Sequence, residues 1–351
     1  MGVPFIKSHA RRRDSVLAID LGGRSTKGVL VQRRGEQYAL AGYTVLDSPV
    51  FDKSPAPEVL AEHLKEVARA LGNRTKQLTI ALGVGDTVFR QVEAPFVPVP
   101  DLRLMFKFNS KTYLQQELAD HVFDCQFGTL RAAESGKPAN QQKQKVMVGA
   151  ARKQLIDDVQ SAAKMAGLVA EQVVPAAVGP INSFELAEPE AFKKEVVALV
   201  ELGFKSSVVT ILDCGDIMLN RVVAIGGDRL TQGLAESLGC SYQEAEGIKI
   251  GMPGEVTQNL ETLVHPLGRE LRASIDFFEN HHDKAVAKVF LSGATARSEP
   301  IFQTLQAELM VACEVWSPVK TLQLELPTSE GNFEEVAPTL TVAIGAAAAS
   351  F

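Results

Sequence analysis

Apolar positions in residues 15–32 form two short runs, VLAID and VLVQ, on either side of LGGRSTKG, which predicts a strand, a glycine turn and a second strand. Over residues 38–46 they alternate in part before Asp47-Ser48-Pro49, predicting a third strand. The spacing then changes to Val59, Leu60, Leu64, Val67 and Leu71, one face of a helix over residues 57–71, with Gly72 and Asn73 as its stop. LTIALG at residues 78–83 returns to strand. After the proline-marked stretch 95–100 the pattern predicts a helix over 102–118, a strand over 122–130, a polar loop over 135–144 and a strand from Val146. A helix over 153–166, ended by Gly167, follows. A first lobe is predicted to close near Gly179-Pro180.

The second half repeats the opening. Residues 196–201, the turn LGFKSS, VVTIL and MLNRVVAIGG read as another three-strand meander. Helices are predicted over 230–238 and 242–250. A longer one around 264–280 carries Leu267, Leu271, Ile275 and Phe278 on one face, and after the buried strand VFLSG come helices over 299–309 and 338–349. LGGRSTKGVLV and LGFKSSVVTIL match in their Leu-Gly start, basic fourth position, Ser fifth, hydroxyl sixth and apolar tail. The chain is therefore expected to be internally duplicated, and two long copies exclude a solenoid. The expectation is an α/β chain of two lobes: residues 1–179, with a small inserted subdomain at about 96–150, and residues 180–351.

Composition narrows the function classes. A length of 351 residues exceeds what one core usually holds, and 46% apolar with 22% charged residues excludes global disorder. The net charge of −6 gives no general attraction for nucleic acid and argues against a nucleic-acid partner. Arg11-Arg12-Arg13, with Lys7 before it, reads as a solvated flank; weak contact with an anionic membrane surface is the alternative. Cys125, Cys214, Cys240 and Cys313 are scattered without a CxxC pair, which suggests neither zinc nor a disulfide framework and fits a reducing cytoplasm. No apolar run reaches the ~18 residues of a membrane span, so membrane contact is expected to be indirect. His281-His282-Asp283 reads as a solvated helix end, because adjacent helical side chains point about 100° apart. No nucleophile elbow, zinc-protease or Walker A sequence is present. Met105, Phe106 and Phe108 suit either core packing or a partner surface.

The candidate chemistry lies in the turns. A Gly-rich hydroxyl turn between strands offers backbone N–H groups to phosphate oxygens, and Gly22, Gly23 and Gly203 permit the close approach this needs. Each alone is also the shape of an ordinary hairpin; two at equivalent places in duplicated lobes point to a polyphosphate gripped from both sides. Asp20, just before the glycines, suits a Mg²⁺-bound water, or it is a solvated or capping carboxylate. Lys27 is either a phosphate neutraliser or an exposed strand lysine. SGATA at residues 292–296 is a strand-ending turn that can lie against a flat base. Glu246 and Lys249, at i and i+3, are by spacing a surface ion pair.

In chain order DLGGRSTKGVLV, ELGFKSSVVTIL, AIGGDRLTQGLAESLGCSYQEAEGIKIG, VFLSGATA and TLTVAIGAAAA resemble the motifs of the actin-like ATPases. The GG-x-x-LT segment, SYQEAE and KFNSKTYLQQELADHVFDCQ are similar to the PilM family of type IV pilus assembly proteins, which is related to FtsA. This resemblance implies an actin-like, ribonuclease H-like duplicated fold. It places Gly22, Gly23, Ser25, Thr26 and Lys27 on one side of the phosphates of ATP or ADP, and Gly203, Lys205, Ser206 and Ser207 on the other. Glu246 and Lys249 would meet the ribose, Gly293 and Ala294 would lie under the adenine, and Gly226 and Gly227 belong to the same site, with Asp20 as the Mg²⁺ position.

Three departures imply at most a weak ATPase with no catalytic residue. Glu201 stands where the family usually has Asp, Ala294-Thr295 replaces a second glycine, and VVPAAVGPINSFE lacks the acidic residue that the family tends to carry around its first proline, so no group there would orient a water. The function implied is a cytoplasmic scaffold, peripheral at the inner membrane, that captures a short cytoplasmic peptide of a PilN-like membrane protein in a groove around residues 89–126. It would work with other pilus or type II secretion-like assembly proteins, with self-association as a further option. The alternatives are a degenerate scaffold without nucleotide and a sugar or small-molecule kinase on the same fold.

Overall fold

The computed structural model describes residues 13–49, 56–72, 75–128, 143–326 and 333–351. Two units share the described residues: the first takes those within 1–183, 321–328 and 342–351, the second those within 184–320 and 329–341.

In the first unit β1 (Ser15–Leu21), β2 (Ser25–Arg34) and β3 (Gln37–Asp47) form an antiparallel meander. The helix α1 (Pro57–Ala70) starts with proline in its first turn, where no intrahelical N–H bond is lost, and β4 (Gln77–Leu82) then runs parallel to β1. An inserted subdomain follows: β5 (Thr87–Pro95), α2 (Val99–Phe108), α3 (Ser110–Leu114), β6 (His121–Phe127) and β7 (Lys143–Arg152), its sheet ordered β5-β7-β6. α4 (Lys153–Met165) and β8 (Val169–Pro175) complete the main sheet as β3-β2-β1-β4-β8. Leu60, Leu64 and Val67 of α1 and Val159 and Ala162 of α4 bury their apolar faces on Leu17, Ile19, Leu78 and Ile80. Leu102 and Phe106, one turn apart on α2, fill the subdomain core with Ala94, Val146 and Val148.

α5 (Gly179–Ala187) carries the chain into the second unit, where α6 (Pro189–Lys194) precedes β9 (Val196–Leu202), β10 (Ser207–Asp213) and β11 (Asp216–Val223). After α7 (Gly227–Leu238), α8 (Tyr242–Gly251) and α9 (Thr257–His282), β12 (Lys288–Ser292) lies parallel to β9. α10 (Glu299–Leu309) and β13 (Cys313–Val315) give the order β11-β10-β9-β12-β13, strand for strand the order of the first sheet. Leu267, Leu271, Ile275 and Phe278 of α9 form the buried stripe that their spacing predicts. β14 (Gln323–Leu324) then pairs with β3 as an outer strand of the first sheet, and after α11 (Phe333–Val336) the last helix, α12 (Thr341–Ala348), returns to the first unit.

Several elements differ from the pattern reading. The helix expected over 102–118 is two short helices broken at Asn109 and stopped by Gln115 at φ 58°. β5 and β8, in which apolar and polar residues mix, are not marked by periodicity. α9 starts well before Val264 and runs through Pro266. The final helix begins at Thr341, after a short 3₁₀ turn at Ala337–Thr339. The stop residue Asn73, most of the polar loop 135–144 and the flank to Arg12 lie outside the described residues. Arg13, the one residue of the basic run among the described residues, is partly buried, and its guanidinium pairs with Glu171 of β8. Among the described residues no helix is long and apolar enough to cross a membrane.

Candidate functional site

The hairpin β1-β2 closes at Leu21↔Thr26, leaving residues 22–25 as its turn. A Cβ on Gly22 would stand 2.5 Å from the Ser25 carbonyl oxygen, so any side chain there would force the turn open. Asp20, 6% exposed, faces Lys27 across the strand pair with 3.6 Å between Oδ2 and Nζ. Burial raises the pKa of Asp20 and the Lys27 ammonium opposes that rise. Gly23 and Arg24 are exposed and Ser25 is half-buried. Thr26 takes a different part from the one expected: at 1% exposure its hydroxyl points into the unit, 3.0 Å from Ser48 Oγ and 2.8 Å from His63 Nε2. It holds the turn from beneath.

In the second unit β9-β10 closes at Leu202↔Ser207, and a Cβ on Gly203 would stand 2.6 Å from the Ser206 carbonyl. The two turns thus share length, register and the same steric need for glycine. Ser207, fully buried, donates to the Ile225 carbonyl at 2.8 Å and, like Thr26, anchors its turn; Lys205 is exposed and Ser206 half-buried.

The residues around this second turn converge. Gly227 N donates to Gly203 O at 3.0 Å, which seats the start of α7 on the turn, and a Cβ on Gly226 would meet Phe204 O at 2.3 Å. A Cβ on Gly227 would come within 2.8 Å of Thr295 Oγ1 and 3.7 Å of Lys249 Nζ. Lys249 donates to Thr231 Oγ1 (2.5 Å) and Gly227 O (3.2 Å) and pairs with Glu246 at 2.7 Å. Thr231 also reaches the Glu246 carboxylate. Both members of this i,i+3 pair are 8% exposed, so the surface reading is wrong: α7 covers that face of α8. A capping box of Ser241 and Glu244 starts α8, and Tyr242 donates to Asp228 at 2.8 Å. Gly293, at φ 92°, needs glycine because a Cβ would meet Leu202 O at 2.4 Å; Ala294 beside it is exposed. Glu201 Oε2 accepts from Ser292 (2.5 Å) and Thr341 (2.8 Å), an arrangement that holds strand ends and the start of α12 together.

The family model for the type IV pilus assembly protein PilM matches residues 18–351. The chain belongs to the PilM family. A solved PilM-PilN type IV pilus biogenesis complex is 22% identical over 96% of this chain and 98% of that chain, with a TM-score of 0.81. The ethanolamine utilization protein EutJ from Carboxydothermus hydrogenoformans is 14% identical over 99% and 93%, with a TM-score of 0.53. These likenesses establish the duplicated, two-lobed actin-like fold, and the family makes this an actin-like pilus-assembly protein.

A second feature of this PilM-family chain lies wholly in the first unit. A groove of about 260 Å³ runs between the inserted subdomain and the main sheet, lined by Leu82 and Thr87, by Arg103, Val122, Phe123 and Asp124, by Gly149–Ala151, by Ile156 and Gln160, and by Ala170, Glu171 and Val173–Pro175. Arg103 and Asp124 pair at its wall, with Arg103 Nε 2.9 Å from Asp124 Oδ1. Of the three residues weighed as partner surface or core, Phe106 is buried, Met105 partly buried and Phe108 77% exposed. Sequence alone does not single out His63, Ser48 or Thr231 as site residues, and it marks Thr295 only as a departure from the family's second glycine. Thr231 lies in the GG-x-x-LT segment, but nothing local marks His63, a lone histidine on a helix. Among the described residues no cluster of three or more His, Cys, Asp or Glu side chains is arranged for a metal ion.

Proposed function

We propose that this chain is a nucleotide-binding scaffold that docks the cytoplasmic tail of a PilN-like membrane protein at the inner face of the inner membrane. The observation that carries the nucleotide part is the matched pair of tight glycine turns, the second backed by Gly227, Lys249, Glu246 and Thr231. These residues fit the group: the turns present backbone amides to phosphate, and the space a Cβ would fill at Gly227 is walled by polar atoms suited to a ribose. Gly22, Gly23, Ser25, Lys27, Gly203, Lys205 and Ser206 would hold the phosphates of ATP or ADP, with Gly293 and Ala294 beside the base. Asp20 would hold a Mg²⁺-bound water, and bound Mg²⁺ neutralises phosphate charge with few protein carboxylates. With Glu201 occupied by Ser292 and Thr341, turnover is expected to be slow or absent.

The groove supports the docking part, since the solved relative of the same family is a complex with PilN. Its wall residue Val122 is 40% exposed on β6, an edge strand of the subdomain sheet, so Val122→Asp should leave the fold intact. Burying a valine contributes about 1.5–3 kcal/mol, and a carboxylate there adds a desolvation cost, so the variant should bind the tail about 10–100-fold more weakly. Fluorescence anisotropy with a labelled synthetic peptide of the N-terminal cytoplasmic tail of a PilN-type protein checks this. Equal affinity of wild type and Val122→Asp would remove the groove from the account. Contacts with other pilus assembly proteins and self-association belong to the same proposal.

A further inference from the structure

The first turn and the second are held by different means. In the second, the carbonyl of the leading glycine, Gly203, accepts a backbone N–H, that of Gly227, at 3.0 Å. In the first, the equivalent carbonyl of Gly22 accepts a side chain, the Ser48 hydroxyl, at 2.6 Å, and Ser48 N donates to Arg24 O at 2.8 Å.

A carbonyl only accepts, so the single Ser48 proton points at Gly22. Thr26, 3.0 Å from Ser48 Oγ, must then donate to it, and Thr26 Oγ1 has only lone pairs left for His63 Nε2 at 2.8 Å. The opposite order would set the Thr26 and Ser48 lone pairs against each other where Thr26 is 1% and His63 6% exposed. His63 on α1 is thereby fixed as the Nε2–H tautomer. Burial depresses its pKa and Glu66 pulls the other way, in keeping with a neutral ring.

Among the described residues every peptide bond is trans, so each C=O lies opposite the N–H of the next residue. Drawing Gly22 O and Arg24 O toward Ser48 therefore turns the amides of Gly23 and Ser25 away from it, the orientation an anion needs. We propose that the relay His63–Thr26–Ser48 sets the amides of the first turn for phosphate, with His63 as a positioning residue. The phosphate part rests on the nucleotide reading above; the ordering of the turn does not.

The test uses the full chain with His63→Leu, His63→Gln, whose amide N–H can replace the imidazole donor, and Ser48→Ala, at a half-buried position that should fold whatever His63→Leu does. Backbone hydrogen exchange by mass spectrometry follows the segments spanning residues 21–27 and 202–207, and calorimetry follows Mg-ADP. The expected result is about tenfold faster exchange in 21–27 for His63→Leu and Ser48→Ala, none in 202–207, about tenfold weaker Mg-ADP, and recovery in His63→Gln. Imidazole ¹⁵N correlation spectra of the wild type should show protonated Nε2. Unchanged exchange in 21–27, loosening spread equally over the first unit, a glutamine variant no better than leucine, or an Nδ1–H tautomer would each overturn the relay. Wild-type protein that takes up no Mg-ADP would end the nucleotide reading alone, leaving exchange and tautomer to decide the relay.

Discussion

Gly345→Ala is expected to destabilise the first unit by about 3 kcal/mol or more. A Cβ on Gly345 of α12 would lie 1.8 Å from the carbonyl oxygen and 2.7 Å from the Cα of Gly179, at the start of α5. The fit is mutual, since a Cβ on Gly179 would lie 2.6 Å from the Cα of Val342. Overpacking usually costs about 1–3 kcal/mol because side chains can rotate aside, but here the obstacle is main chain on both sides. Asn182 Nδ2 also donates to Gly345 O at 3.2 Å, a bond that separating the helices would break. Urea unfolding of the variant beside wild type measures the loss. A difference under about 1 kcal/mol would mean that the two helices shift without cost.

Gly227→Val is expected to reduce nucleotide affinity at least about 100-fold while leaving the tail-binding groove untouched. The branched side chain would fill the space between Thr295 Oγ1 and Lys249 Nζ, at 2.8 Å and 3.7 Å from its Cβ. It would also crowd the Lys249 contacts with Thr231 and Gly227 O. The fold should tolerate it better than Gly345→Ala, since the nearest atom is the end of a side chain. Two lost charge-assisted hydrogen bonds at about 1.5–3 kcal/mol each correspond to 100-fold or more. Calorimetry with Mg-ADP and anisotropy with the tail peptide separate the two sites. Equal weakening of both would point to unfolding of the variant, and full retention of Mg-ADP binding would remove Gly227 from the site.

The sheets and turns were legible because their signals are local. Gly22 and Gly203 are demanded by contacts three residues away, with Ser25 O and Ser206 O, so the repeated glycine-hydroxyl spacing carries its own structural reason. Strand alternation and the α9 stripe are local in the same sense. What escaped depends on residues distant in sequence. Spacing shows that Glu246 and Lys249 share a face of α8, but only the packing of α7 shows that the face is buried. The inward turn of Thr26 is decided by Ser48 and His63, 22 and 37 residues on. The groove takes its lining from five strands of two sheets and from two helices, and no window along the chain contains it. A return of the last helix to the first unit likewise follows from Gly345 meeting Gly179, not from anything in TLTVAIGAAAA itself.

The most direct test of the central claim is calorimetric titration of purified, nucleotide-stripped protein with Mg-ADP and Mg-ATP, with Lys27→Ala and Gly227→Val titrated alongside. Micromolar binding by the wild type, weakened in Lys27→Ala and lost in Gly227→Val, is the predicted result. No heat and no thermal shift at millimolar nucleotide would contradict it and leave the actin-like fold as a docking platform alone.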